Sequence, residues 1–149
     1  MNIIKNIDQY NEDYVYFCEP IKNNIMNEGN FIRIIYSSPI FVLNGIYIYI
    51  LINYNSVDKY YNKFKCTFDI IKYKYVIDQI QIIEEGILKK ANIIGKNPQF
   101  KIYEQFKNGN LKIFSDNIEK INNTFLLKIS GIWETEYEYG ITYKFLPIT

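Results

Sequence analysis

From residue 31 onward the chain repeatedly alternates apolar and polar side chains with a period of two, and no other feature narrows the fold as much. A strand sends successive side chains to opposite faces, so this pattern makes half-buried strands. Residues 31–36 are β-branched and aromatic and stop at Ser37-Ser38-Pro39. Residues 40–43 and 46–54 flank Asn44-Gly45, a pair that tolerates the positive φ angles of a type I′ turn and predicts a hairpin. In its second arm Ile46, Ile48, Ile50 and Ile52 share one face, and Tyr47 and Tyr49 the other. Residues 63–70 put Phe64, Cys66, Phe68 and Ile70 inward and Lys63, Lys65 and Thr67 outward, with a change of frame at Ile70-Ile71 that a bulge or a strand end would produce.

Two further hairpins are expected. Residues 99–106 read as a strand with Phe100, Ile102 and Phe106 on one face and Lys101, Tyr103 and Gln105 on the other, returning through Lys107-Asn108-Gly109-Asn110 into Leu111 and Ile113. Phe125, Leu127, Ile129, Gly131 and Trp133 then share a face, which assigns Trp133 to the core and Gly131 to a bulge or a close backbone approach. A turn over 137–140 leads to Ile141, Tyr143 and Phe145 on the last strand.

One stretch breaks the alternation. Apolar residues at 76, 80, 83, 87, 91 and 94 follow helical spacing, Asp78, Glu84, Glu85, Lys89 and Lys90 lie off that stripe, and Gly95 and Pro98 end it. Gly86 within it weakens the helix by about 1 kcal/mol relative to Ala. The fold class is therefore mostly β, an OB-like small barrel with one interposed α-helix over about residues 76–94. Residues 1–149 make a single domain, with 1–30 as an N-terminal arm that is irregular or holds a short helix. The longest apolar stretch, 40–52, is 13 residues and is broken by Asn44-Gly45, short of the roughly 20 residues a membrane helix needs. No membrane partner is expected. Cys18 and Cys66 lack metal spacing and the N-terminus lacks a signal-peptide apolar run, which reads as reduced thiols in the cytoplasm.

Composition carries less weight than it first shows. The chain holds 30 Ile, 18 Asn, 16 Lys and 15 Tyr against a single Arg, the signature of A/T-rich codons. At 48% hydrophobic and 17% aromatic it is nonetheless too apolar for intrinsic disorder. The net charge of +1 is unevenly spread: residues 59–113 carry 11 Lys against 5 acids, whereas both ends are acidic. A basic middle can present a local anion-binding face.

The chain has no His, which removes Ser-His, Cys-His and His-metal chemistry, and its seven Gly are scattered, with no phosphate loop or dinucleotide motif. Glu134, Glu136 and Glu138 would share a strand face, and a metal-dependent nuclease could use such carboxylates. No acid from elsewhere joins them, so we expect no enzyme and no cofactor. The positive signal is cations interleaved with rings: ammonium groups track phosphates, and aromatic faces stack on unpaired bases at about 1–3 kcal/mol each. This selects Lys63, Lys65, Lys72, Lys74 and Lys101 for phosphate contacts and Tyr47, Tyr49, Tyr73 and Tyr103 for stacking. The alternative is a structural or assembly protein that self-associates into a homo-oligomer through the same Tyr-rich sheet face.

The stretch Leu127-Lys128-Ile129-Ser130-Gly131-Ile132-Trp133-Glu134-Thr135, followed by Tyr139-Gly140-Ile141-Thr142-Tyr143-Lys144-Phe145, resembles the end of small single-stranded-DNA-binding proteins of large cytoplasmic DNA viruses. With the composition, it is also similar to proteins of the A/T-rich, virus-like linear DNA plasmids replicated in yeast cytoplasm. The resemblance implies an OB-like barrel, sequence-tolerant binding of single-stranded DNA, and a role in replicating an A/T-rich DNA element. The N-terminal arm and the extra strands exceed a minimal five-stranded version.

Overall fold

A computed structural model describes residues 5–22 and 29–148. Residues 1–4, 23–28 and the last residue of the chain lie outside it, including those parts of the expected arm. The twelve strands are β1 (Lys5–Asn6), β2 (Val15–Phe17), β3 (Ile21–Lys22), β4 (Asn30–Ser38), β5 (Phe41–Leu43), β6 (Ile46–Leu51), β7 (Ser56–Tyr60), β8 (Lys63–Thr67), β9 (Asn97–Gln99), β10 (Asn110–Phe114), β11 (Thr124–Glu134) and β12 (Glu138–Pro147). The helices are α1 (Lys74–Ala91) and α2 (Lys101–Lys107). The fold is mostly β, as expected. Its principal sheet runs β1-β6-β11-β12-β10-β8-β7, and β4 carries β2, β3 and β5 alongside β11. The sheet has a barrel-like arrangement but does not close, since β1 and β7 are its two ends.

The alternating isoleucines do what their spacing requires. Ile46, Ile48 and Ile50 of β6 are buried, as are Phe64 and Cys66 of β8, Leu111 and Ile113 of β10, and Phe125, Leu127 and Ile129 of β11. Against this face α1 buries Ile77, Ile80, Ile83, Ile87 and Leu88 in the same core. Fully removing one such side chain from water contributes about 1.5–3 kcal/mol. Burial also pushes the Cys66 thiol up to about 12, and both cysteines are free. No described helix is long and apolar enough to cross a membrane.

Several expectations are corrected. Asn44-Gly45 does not close a hairpin: β5 pairs back onto β4 around Pro39-Ile40, and β6 departs to pair with β11 and β1. Gly45, at φ 112°, turns the chain across β11, where a Cβ would lie 2.9 Å from the Ile129 carbonyl oxygen. Asn44 faces sideways and its Oδ1 accepts from the Arg33 guanidinium at 3.2 Å. Of the pair only Gly45 takes a positive φ, and it serves a crossing rather than a type I′ turn.

Of residues 99–106, 101–106 are helix and only Gln99 is strand, at the end of β9. Ile102 and Phe106 also sit four apart, and both are buried. What decides between the two periods is Glu84 of α1, expected off the apolar stripe but 1% exposed, whose carboxylate accepts the amide hydrogens of Ile102 at 3.0 Å and Tyr103 at 2.8 Å. The first amides of a helix have no partner within it, and a carboxylate from another helix satisfies them here. Helix α1 itself ends earlier than residue 94, because Asn92 adopts the left-handed conformation (φ 54°) and caps it by donating its amide hydrogen to the Lys89 carbonyl.

In its described parts the N-terminal segment holds short 3-10 helices, Ile7–Gln9 and Glu12–Tyr14, and is tied into the sheet. β1 pairs in parallel with β6, β2 and β3 pair with β4, and the Tyr75 hydroxyl donates to Asp8 Oδ1 at 2.5 Å. The Glu12 carboxylate lies over Gly86, where a Cβ would displace the exposed Glu12 side chain.

In the last hairpin, Gly131 does mark a bulge, and a Cβ there would come within 2.3 Å of the Ile32 carbonyl oxygen. The bulge shifts the phase by one, so Ile132 is buried in place of Trp133. Trp133 is half-buried and lies across Gly140 rather than in the core.

Candidate nucleic-acid interface

With one sheet face covered by the helices, the outward positions of six neighbouring strands form the other face. Register places Lys128 of β11 between Tyr47 of β6 and Lys144 of β12. Lys144 reaches the ring of Phe114 on β10, its Nζ 5.4 Å from the centroid. Phe114 pairs with Lys63 of β8, and Lys63 with Tyr60 of β7. One row across the sheet thus reads Tyr47, Lys128, Lys144, Phe114, Lys63, Tyr60. At about 4.8 Å per strand it spans roughly 24 Å.

The lysines hold the rings. Lys63 Nζ lies 4.4 Å from the Phe114 centroid, Lys112 Nζ 4.5 Å from that of Tyr60, and Lys128 Nζ 5.9 Å from that of Tyr47. Beside the row stand Lys65 and Lys112, directly opposed in register, with Asp58 across from Lys65. Opposed like charges raise the local potential and favour an anion between them. No described ion pair involves Lys63, Lys65, Lys112, Lys128 or Lys144.

Five of the nine residues selected from sequence are divided between this face and its margin. Tyr47, Lys63 and Lys65 lie on it as expected. Tyr49 projects from the same strand but lines a separate, largely apolar hollow with Asn6, Asp8, Leu51 and Tyr75. Lys101 belongs to α2 and borders a cleft at the edge of the face.

The other four are elsewhere. Tyr73 is 9% exposed at the start of α1, packed edge-on against Phe68, and its hydroxyl accepts the Asn53 amide hydrogen at 2.7 Å. A ring so placed has no face for a base. Lys72 lies beside it, with Nζ 5.5 Å from its centroid. Lys74 is ion-paired with Asp78 at 2.7 Å, four residues along α1. Tyr103 is half-buried on α2, one residue after Ile102, because its segment is helical and not a strand.

Sequence reasoning did not select Tyr60, Lys112, Phe114, Lys128 or Lys144. Lys128 and Lys144 each sit between core residues of an alternating strand, so their outward direction was readable; their adjacency depends on strand order. Tyr61 was also passed over. It occupies the first position of the two-residue loop joining β7 to β8, at φ 56°, is 82% exposed, and meets Tyr60 edge-on at 4.9 Å. Such a loop position ordinarily takes Gly, and a strained, exposed ring at the end of a cationic row is a stacking candidate. Tyr61→Gly relieves the strain, so we expect stability unchanged to within about 1 kcal/mol while single-strand affinity falls by about 1–3 kcal/mol. Melting and binding curves measured together check this, and unaltered binding removes Tyr61 from the interface.

Glu134, Glu136 and Glu138 do not share a strand face, because β11 ends at Glu134, Glu136 lies in the turn and β12 begins at Glu138. Glu134 accepts from Asn30 at 3.0 Å and pairs with Lys96 at 3.0 Å; the Asn30 hydrogen bond, then Lys96, hold its carboxyl below the usual range against the opposing effect of burial. Among the described residues no group of three or more His, Cys, Asp and Glu could hold a metal ion. Compared with known proteins, the chain matches no protein-family model, no curated protein and no solved structure.

Proposed function

We propose that the protein is a non-catalytic, sequence-tolerant single-stranded nucleic-acid-binding protein. The observation that supports this best is the cross-sheet row of three lysines and three rings, flanked by Lys65 and Lys112, on a face the helices leave uncovered. Ammonium groups that rest on rings in the free protein move to phosphates, and the rings they leave are freed for unpaired bases. A row of roughly 24 Å falls at the short end of the 4–16 nucleotides that small β-folds of this kind cover. DNA is favoured over RNA, and replication of an A/T-rich element in the cytoplasm is the setting, on the likeness of the C-terminal hairpin to viral and plasmid proteins.

The competing occupant of the face is a second copy of the chain, favoured by its half-buried Tyr47, Tyr49 and Leu126. Titration of fluorescent poly-dT and of a duplex of equal length across a salt series separates the two. We expect single strands to bind more tightly than duplex and affinity to fall steeply with salt, because condensed cations are released. Equal affinity for both forms leaves a generic cation patch. Absence of binding, with salt-insensitive self-association, favours assembly.

A further inference from the structure

β10 and β12 pair at one register position only, Ile113 opposite Phe145. Beside that position α2 inserts Gln105 between them: its Nε2 donates to the Tyr143 hydroxyl, and its Oε1 accepts the Lys112 amide hydrogen at 3.3 Å, a hydrogen that a continued ladder would have given to β12. Two adjoining hollows result, about 410 and 250 Å³, which share Lys63, Gln105, Lys112 and Tyr143. Lys101 borders the larger and Lys144 and Phe114 the smaller.

Four ammonium groups therefore border one cleft, and the single carboxylate lining it is Glu104. None of the four is in a described ion pair. That excess of positive charge exceeds what the single negative charge of an internal phosphodiester neutralises. A phosphate monoester carries about −1.5 to −2 near pH 7 and offers three acceptor oxygens. Asn108 and Asn110 at the mouth of the larger hollow add amide groups able to meet them, and the Phe114 ring on the neighbouring wall is a platform for an attached base.

We propose that this cleft is a subsite for a nucleoside phosphate monoester, supplied either by the phosphorylated end of a bound strand or by a free nucleotide. The assignment rests on the nucleic-acid reading above and deepens it, making the cleft an end-binding position on the row itself, with Lys63, Lys144 and Phe114 common to both. Lys101 separates the two functions, since it borders the cleft and lies off the row.

The test compares dT12 carrying a 5′-phosphate, a 3′-phosphate or hydroxyls at both ends, with thymidine monophosphate as competitor, on the full chain and on Lys101→Gln. One or two additional lysine contacts make a phosphorylated end roughly tenfold tighter at about 0.1 M salt. We expect that advantage for one of the two ends, its loss in Lys101→Gln, and unchanged affinity of that variant for the hydroxyl strand. Displacement by the monophosphate, with no difference among the strands, keeps the cleft and assigns it to free nucleotide. Equal binding of all three strands with no effect of the monophosphate overturns the subsite and leaves the strand-binding function standing. Monophosphate binding with no strand bound overturns the strand-binding function and retains the cleft.

Discussion

Replacing Lys63, Lys112 and Lys144 together by Gln is expected to weaken single-strand binding about 100-fold at 0.1 M salt and to flatten the dependence of log affinity on log salt by about 2. Each lysine that meets a phosphate releases about 0.7 of a condensed cation from a single strand. The three lie within one row and its flank: Lys63 and Lys144 share the Phe114 ring, and Lys112 covers Tyr60. The fold should tolerate the change. No described ion pair is lost, and three partly exposed cation–π contacts, at about 1 kcal/mol each, are offset in part by relief of repulsion among the lysines. The control is Lys59, Lys89 and Lys107 changed to Gln, which alters net charge equally at exposed positions off the row. If both triple variants weaken binding alike, the effect belongs to overall charge and the row is not the groove.

That the sheet could be read so far from sequence, and the row so incompletely, has one physical origin. Alternation reports which way a side chain points along its own strand: Ile46, Ile48 and Ile50 inward, Tyr47 and Tyr49 outward. It does not report the neighbouring strand. Lys128 and Lys144 come from a C-terminal segment that is net acidic, yet register sets them beside Tyr47 and Phe114. A search for cations close to rings in sequence reached Lys72, Tyr73 and Lys74 instead. There the chain turns into α1, Tyr73 goes under, and Lys74 binds Asp78. The other failures are also matters of distance. Trp133 left the core because one bulged residue reversed the frame, and residues 99–106 became helical because a carboxylate some twenty residues away caps them.

That carboxylate gives the second large effect. Glu84 is buried between α1 and α2, and although two amide hydrogens stabilise its charged form, desolvation outweighs them and pushes its pKa up to about 7 from an ordinary 4.5. Glu104 and Glu85 add to the rise through repulsion. The folded protein therefore holds a proton that the unfolded chain has already released between about pH 4.5 and 7. Stability from this group is fully present below the unfolded value and is lost as pH rises through the folded one, by about 3 kcal/mol in all. Denaturant unfolding of the protein and of Glu84→Gln at pH 5, 6, 7 and 8 isolates the effect, because every other titrating group is common to both. The Gln carbonyl oxygen can accept from only one of the two α2 amides and its NH2 faces the other, a cost that is the same at every pH because the group does not titrate. We expect the stability difference between the two proteins to shift in favour of Glu84→Gln as pH rises, most steeply between the unfolded and folded pKa values and levelling off above the folded one; parallel profiles would return Glu84 to an ordinary pKa. Glu84→Ala behaves differently, since it strands the Ile102 and Tyr103 amide hydrogens at about 1–3 kcal/mol each at any pH. Because α2 holds Gln105 between β10 and β12 and carries Lys101 at the cleft, loss of that cap should loosen the cleft before it unfolds the sheet. The readout is faster amide exchange confined to α2.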